Sequence, residues 1–93
     1  MEQDLAWAKS ARRGLTIILN DWDPIGVYPQ LGGPADEYDC LRDHVLSWLM
    51  NGATREELMV HLRAELDDHF GLPEATVPPG VVDRVLAWWE SRR

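Results

Sequence analysis

Apolar residues recur along this chain at the spacing of an α-helix. Between residues 4 and 21 they fall every three or four positions, and at about 100° per residue they occupy roughly one third of the helical wheel. Charged and polar residues lie on the opposite side. The pattern predicts an amphipathic first helix whose buried face carries Trp7, Ala8, Ala11, Leu15, Ile18, Leu19 and Trp22.

Three further segments show the same periodicity, and they predict helices over residues 35–51, 54–70 and 80–91. Thr54 and Glu57 have the spacing of a capping box at the start of the third helix. Gly52 and Gly71 follow the second and third apolar patterns, where a glycine favours the end of a helix.

These segments predict an all-α fold: one compact domain over residues 1–93, with four helices packed as an orthogonal or up-down bundle. A chain of 93 residues, 45% of them apolar, is long enough for one core and too short for two independent ones. The expected core is Leu15, Ile18, Trp22, Leu41, Val45, Leu62, Leu66 and Val85.

The segment between the first two helices has an unusual sequence. Residues 22–27 read Trp-Asp-Pro-Ile-Gly-Val, and residues 36–39 read Asp-Glu-Tyr-Asp. Asp23 precedes a proline, which ends the helix. We expect Trp22 and Tyr38 to be buried and Asp23 to accept hydrogen bonds from nearby backbone amides. The Pro/Gly-rich loop over residues 23–35 is expected to be ordered, with at least two of its apolar residues on the core, drawn from Ile25, Val27, Tyr28 and Leu31.

Together these two motifs resemble a family of short bacterial all-helical proteins of unknown function, over roughly residues 10–70. The family carries a W-D-P-[IL] loop followed by a D-E-Y helix start, and some of its members look like immunity proteins or antitoxins. The resemblance implies a helical fold and a role in binding another protein. It says nothing about a ligand and little about chemistry.

Charge narrows the choice of partner. The net charge is −7, and residues 21–74 alone hold twelve acids against three arginines. A protein that binds duplex nucleic acid needs a basic surface, so the acidic segment favours a basic protein partner instead. The N-terminus has neither a signal peptide nor a membrane span, and Cys40 is the only cysteine, so a cytoplasmic location is expected.

The sequence therefore predicts a small protein-binding module, a monomer or homodimer with no enzymatic activity and no cofactor. Its most concrete version is immunity-like or antitoxin-like inhibition of a basic partner. Apolar residues inside an acidic rim are typical of a protein interface. The predicted partner-binding residues are Asp23, Asp36, Glu37, Asp39, Asp43, Leu46 and Met50.

Two alternatives remain open. His61, Glu65 and His69 are spaced four residues apart along the third helix, with Asp68 nearby, and imidazole and carboxylate groups one turn apart can hold a metal or exchange protons. That pattern would suit a metal-dependent or acid–base enzyme. The other alternative is a structural homodimer formed through exposed apolar residues such as Ile17, Met50 or Trp88.

Overall fold

The computed structural model describes residues 2–24, 26, 32–33, 37–72 and 76–92. Within these ranges the chain forms four α-helices and no β-strand, namely α1 (Glu2–Trp22), α2 (Asp39–Met50), α3 (Arg55–Asp68) and α4 (Pro79–Ser91). The predicted all-α class is therefore confirmed. None of these four helices has the length and apolar character needed to cross a membrane.

Contacts divide the chain into two compact units, residues 1–46 and 47–93, and the boundary falls inside α2. A single domain with bundle-like packing stays a prediction. The predicted start of the second helix near residue 35 and the packing of Ile25, Val27, Tyr28 and Leu31 lie outside the described residues. The described part of α2 begins at Asp39, after a turn at Glu37 and Tyr38.

In residues 1–46 the buried positions follow the predicted stripes, except that Leu46 is buried as well and that Trp7 and Ala8 are only half-buried. The buried residues are Ala11, Leu15, Ile18, Leu19, Tyr38, Leu41, Val45 and Leu46. Each leucine removed from water in this way contributes about 2 kcal/mol to folding. Trp22, which we expected in the core, is only half-buried. It is the last residue of α1, and an indole is so large that it is seldom covered completely.

In residues 47–93, α3 packs against α4. The four-residue spacing of Leu58, Leu62 and Leu66 places them on one buried face of α3, and Val82 and Val85 are buried on α4. At the surface, Arg55 Nε donates to Asp83 Oδ1 at 2.8 Å. This hydrogen bond raises the pKa of Arg55 and lowers that of Asp83.

Local sequence signals set the helix ends. Gly52 has a φ of +80°, a conformation that costs glycine little. Its N–H donates to the Leu49 carbonyl at 3.1 Å, and the Ala53 N–H donates to the Trp48 carbonyl at 3.0 Å. These two bonds form a Schellman motif that satisfies carbonyls at the end of α2. The predicted role of Gly52 is confirmed.

The capping box at the start of α3 is also confirmed. The Glu57 N–H donates to Thr54 Oγ1 at 3.2 Å, and the Thr54 N–H donates to Glu57 Oε1 at 2.9 Å. Both hydrogen bonds hold the pKa of Glu57 below its usual value. The bond from the Thr54 backbone has the larger effect, and the bond with the Thr54 side chain has the smaller one. The ionised carboxylate therefore stabilises the folded chain. This contribution is present above the unfolded-state pKa and is lost as the pH falls through the folded-state pKa.

We expect Thr54→Ala to lower the free energy of unfolding by about 1 kcal/mol, because the Glu57 N–H loses its acceptor. Urea denaturation of the full chain measures this. Ser47→Ala, at an exposed position on α2, is the control and should change little. The deficit of Thr54→Ala should also shrink in acid, where protonation of Glu57 already weakens the box in the parent protein. An equal loss in both variants would contradict the assignment.

Candidate functional site

The turn after α1 depends on Asp23. Its N–H continues the helical pattern by donating to the Leu19 carbonyl at 2.9 Å, and its carbonyl accepts from the Gly26 N–H at 3.1 Å. The φ of Asp23 is +48°, in the left-handed region. Aspartate visits this region more readily than most residues, because its short polar side chain can form local hydrogen bonds. The chain therefore leaves the α1 axis at this residue.

A side-chain hydrogen bond joins the two motifs singled out in the sequence. The Tyr38 hydroxyl donates to Asp23 Oδ1 at 2.6 Å, across 15 residues of chain. Tyr38 is only 2% exposed, as predicted, and a buried hydroxyl needs a partner. Its acceptor is a carboxylate, which makes the bond short and strong. Donation from nearby backbone amides to Asp23 stays a prediction, and the structure adds the Tyr38 phenol as a donor that we did not expect.

Arg42 organises the acids at the start of α2. Its Nη1 donates to Asp39 Oδ1 at 3.2 Å, and its Nε donates to Asp43 Oδ1 at 3.0 Å. The same Nη1 reaches Thr16 Oγ1 on α1 at 3.4 Å. The Arg42 side chain is 17% exposed, whereas those of Asp39 and Asp43 are 45% and 58% exposed. The cation therefore lies beneath two carboxylates that face solvent.

Sequence reasoning missed the role of Arg42. The sequence shows that Arg42 follows Asp39 by three residues and directly precedes Asp43. A spacing of three residues is common for an ion pair on a helix. Its contact with Thr16 spans 26 residues, and no local pattern indicates such a contact.

The other predicted partner-binding residues have different surroundings. Glu37 is exposed, and no ion pair joins it to any residue that the structure describes. Asp36 lies outside the described residues. Met50, in the unit 47–93, is 63% exposed, as expected.

Leu46 requires a correction, because it is 9% exposed and belongs to the buried set. The buried arc of α2 runs from Leu41 through Val45 and Leu49 to Leu46 and covers about 140° of the helical wheel. This is wider than the narrow stripe assumed from the sequence, and Leu46 lies at its edge. It is not an exposed contact residue.

The structure places the rings of His61 and His69 against different neighbours. The His61 imidazole stacks on the Trp48 indole with a centroid distance of 4.8 Å, and the His69 ring meets the edge of Phe70, also at 4.8 Å. The backbone N–H of His69 donates to the Glu65 carbonyl at 2.9 Å. Across the described ranges, no three His, Cys, Asp or Glu side chains form a group that could hold a metal ion.

The residues named for a homodimer also have different surroundings. Ile17 is 53% exposed on α1, as the wheel predicts. Trp88 is half-buried on α4, with the Arg92 guanidinium 5.3 Å from its ring centroid. A cation above an indole ring is a favourable contact, so Trp88 already has a packing role within its own chain.

In comparisons with protein-family models, curated proteins and solved structures, nothing matches this chain. The resemblance to the bacterial helical family therefore stays a prediction.

A double-mutant cycle tests the link between the motifs. We expect Tyr38→Phe to lower the free energy of unfolding by about 1–2 kcal/mol, because the bond to a charged acceptor is lost. In an Asp23→Asn background the same change should cost clearly less. Asparagine tolerates the left-handed backbone, so this background isolates the charge. Strictly additive effects in urea denaturation would show that the hydroxyl and the carboxylate do not act together.

The histidine positions give a second expectation. Adding zinc should leave the melting temperature unchanged, since a metal stabilises the fold only when a formed site binds it. Thermal unfolding with and without a tenfold excess of zinc measures this. A rise in melting temperature that His61→Ala abolishes would contradict it and revive the metal-enzyme alternative.

Proposed function

We propose that this protein binds another protein that has a basic surface, through the acidic residues at the start of α2. The observation that carries the proposal is the group of solvent-facing carboxylates of Glu37, Asp39 and Asp43. Asp39 and Asp43 are fixed over Arg42, and Glu37 precedes them in the turn before α2.

Fixed carboxylates suit this role for an entropic reason. A flexible surface acid must be immobilised when a partner binds, and this ordering opposes association. The Arg42 guanidinium already orders Asp39 and Asp43 in the free protein. The three acids outweigh the one cation, so the group keeps a negative charge that attracts lysine and arginine side chains.

The charge of the whole chain acts in the same direction. A net charge of −7 attracts a basic protein at long range and repels nucleic-acid phosphates. In its most concrete form, the proposal is an immunity-like or antitoxin-like protein of the cytoplasm that covers the basic active surface of a nuclease toxin. Electrostatic steering would then raise the association rate.

The test combines cross-linking capture from the source cells with a matched pair of variants. Glu37→Gln with Asp43→Asn removes two carboxylates of the proposed site. Glu56→Gln with Asp67→Asn removes two exposed carboxylates of α3 and changes the net charge equally. We expect a captured basic partner to associate about fivefold more slowly with the first variant in low salt, and the difference to shrink in high salt.

Circular dichroism of both variants shows whether the helices persist. An equal loss of association in the two variants would attribute binding to overall charge and overturn the proposed site. Capture of an acidic partner, or a rate that does not depend on salt, would overturn the proposed class of partner.

A further inference from the structure

A groove of about 320 Å³ lies in the unit formed by residues 47–93. Met59, Val60 and Arg63 line it from α3, and Thr76 and Val77 line it from the segment before α4. Its volume is at the lower end of the range for small-molecule sites. None of these residues belongs to the proposed protein-binding site, so the two proposals stand or fall separately.

Most of the groove is apolar. Val77 is 6% exposed, whereas Val60 is 66% exposed, so the groove joins the buried core of this unit to an open apolar surface. Met59 is half-buried, and its unbranched thioether can adapt to the shape of a guest. Such a lining favours a flexible hydrocarbon chain over a polar ligand.

Arg63 adds one positive charge to this apolar groove. It is exposed, and it forms no ion pair or hydrogen bond with any residue that the structure describes. Arg42 and Arg55, by contrast, each pair with at least one aspartate. Asp67, one turn further along α3, does not pair with Arg63. The guanidinium is therefore available to an anionic group, and its planar fork matches a carboxylate.

We propose that the groove binds a straight-chain carboxylic acid of about eight carbons. Arg63 pairs with the carboxylate, and the chain lies against Met59, Val60 and Val77. A volume of 320 Å³ is at the lower end of the range for small-molecule sites, which suits a short ligand of about ten non-hydrogen atoms such as octanoate.

The experiment titrates sodium octanoate into the full chain and follows its backbone amides by NMR. We expect saturable shifts at the groove residues, with a dissociation constant of about 1 mM, as suits a ligand of this size. Arg63→Gln should weaken binding at least about fivefold, as the loss of a charge-assisted pair does. Arg13→Gln, which removes an exposed arginine from α1, is the matched control and should change nothing.

Three further measurements separate this pairing from general hydrophobic binding. Octylammonium and 1-octanol carry the same chain without the carboxylate, so both should bind more weakly than octanoate. Val60→Glu places a carboxylate at an exposed position of the groove and should weaken octanoate binding while the helical circular dichroism is kept. Equal binding of octanoate and 1-octanol, or equal effects of Arg63→Gln and Arg13→Gln, would overturn the proposal.

A leucine-terminated peptide tests another occupant, because it also joins an apolar group to a carboxylate. If it shifts the groove residues and octanoate does not, the groove receives the end of a protein chain and the proposal is wrong.

Discussion

The hydrogen bond from Tyr38 to Asp23 is the constraint on which the unit 1–46 depends. Burial of Tyr38 removes its hydroxyl from water, so the side chain can contribute to the core only where an acceptor meets it. Asp23 provides that acceptor and also adopts the left-handed backbone that ends α1. One residue therefore sets both the direction in which the chain leaves α1 and the place where it returns before α2.

Arg42 forms the second long-range contact in this unit, and it connects the stability of the fold to the proposed function. Its guanidinium bonds to Thr16 on α1 and to two acids on α2. The acids could be read from the sequence as contacts for a partner, yet they also hold a cation of their own chain. Any partner must therefore compete with Arg42 for Asp39 and Asp43, or accept the carboxylate oxygens that Arg42 leaves free. Glu37 forms no ion pair with a described residue, so a partner can bind its carboxylate without displacing Arg42.

Local rules allowed the helices and their caps to be predicted from the sequence. Contacts between residues far apart in the chain could not be predicted in this way. The Thr54–Glu57 box and the Gly52 cap involve neighbours within a few residues, so the sequence contains the whole interaction. The Tyr38–Asp23 bond and the Arg42–Thr16 contact span 15 and 26 residues. Leu46 was misplaced for a related reason: a wheel gives the angle of a side chain, but the width of the buried arc depends on what packs against the helix.

Arg42, Arg55 and Arg63 show how the same residue serves different purposes. Arg42 and Arg55 lie beside aspartates, where each guanidinium links one helix to another. Arg63 lies beside Met59 and Val60, where the chain places apolar surface and no described carboxylate pairs with it. In a chain with a net charge of −7, acids are plentiful and cations are few. Arg63 is thus a cation among apolar groups that no described acid neutralises, and an amphiphilic anion would pair with it while its chain covers Met59 and Val60.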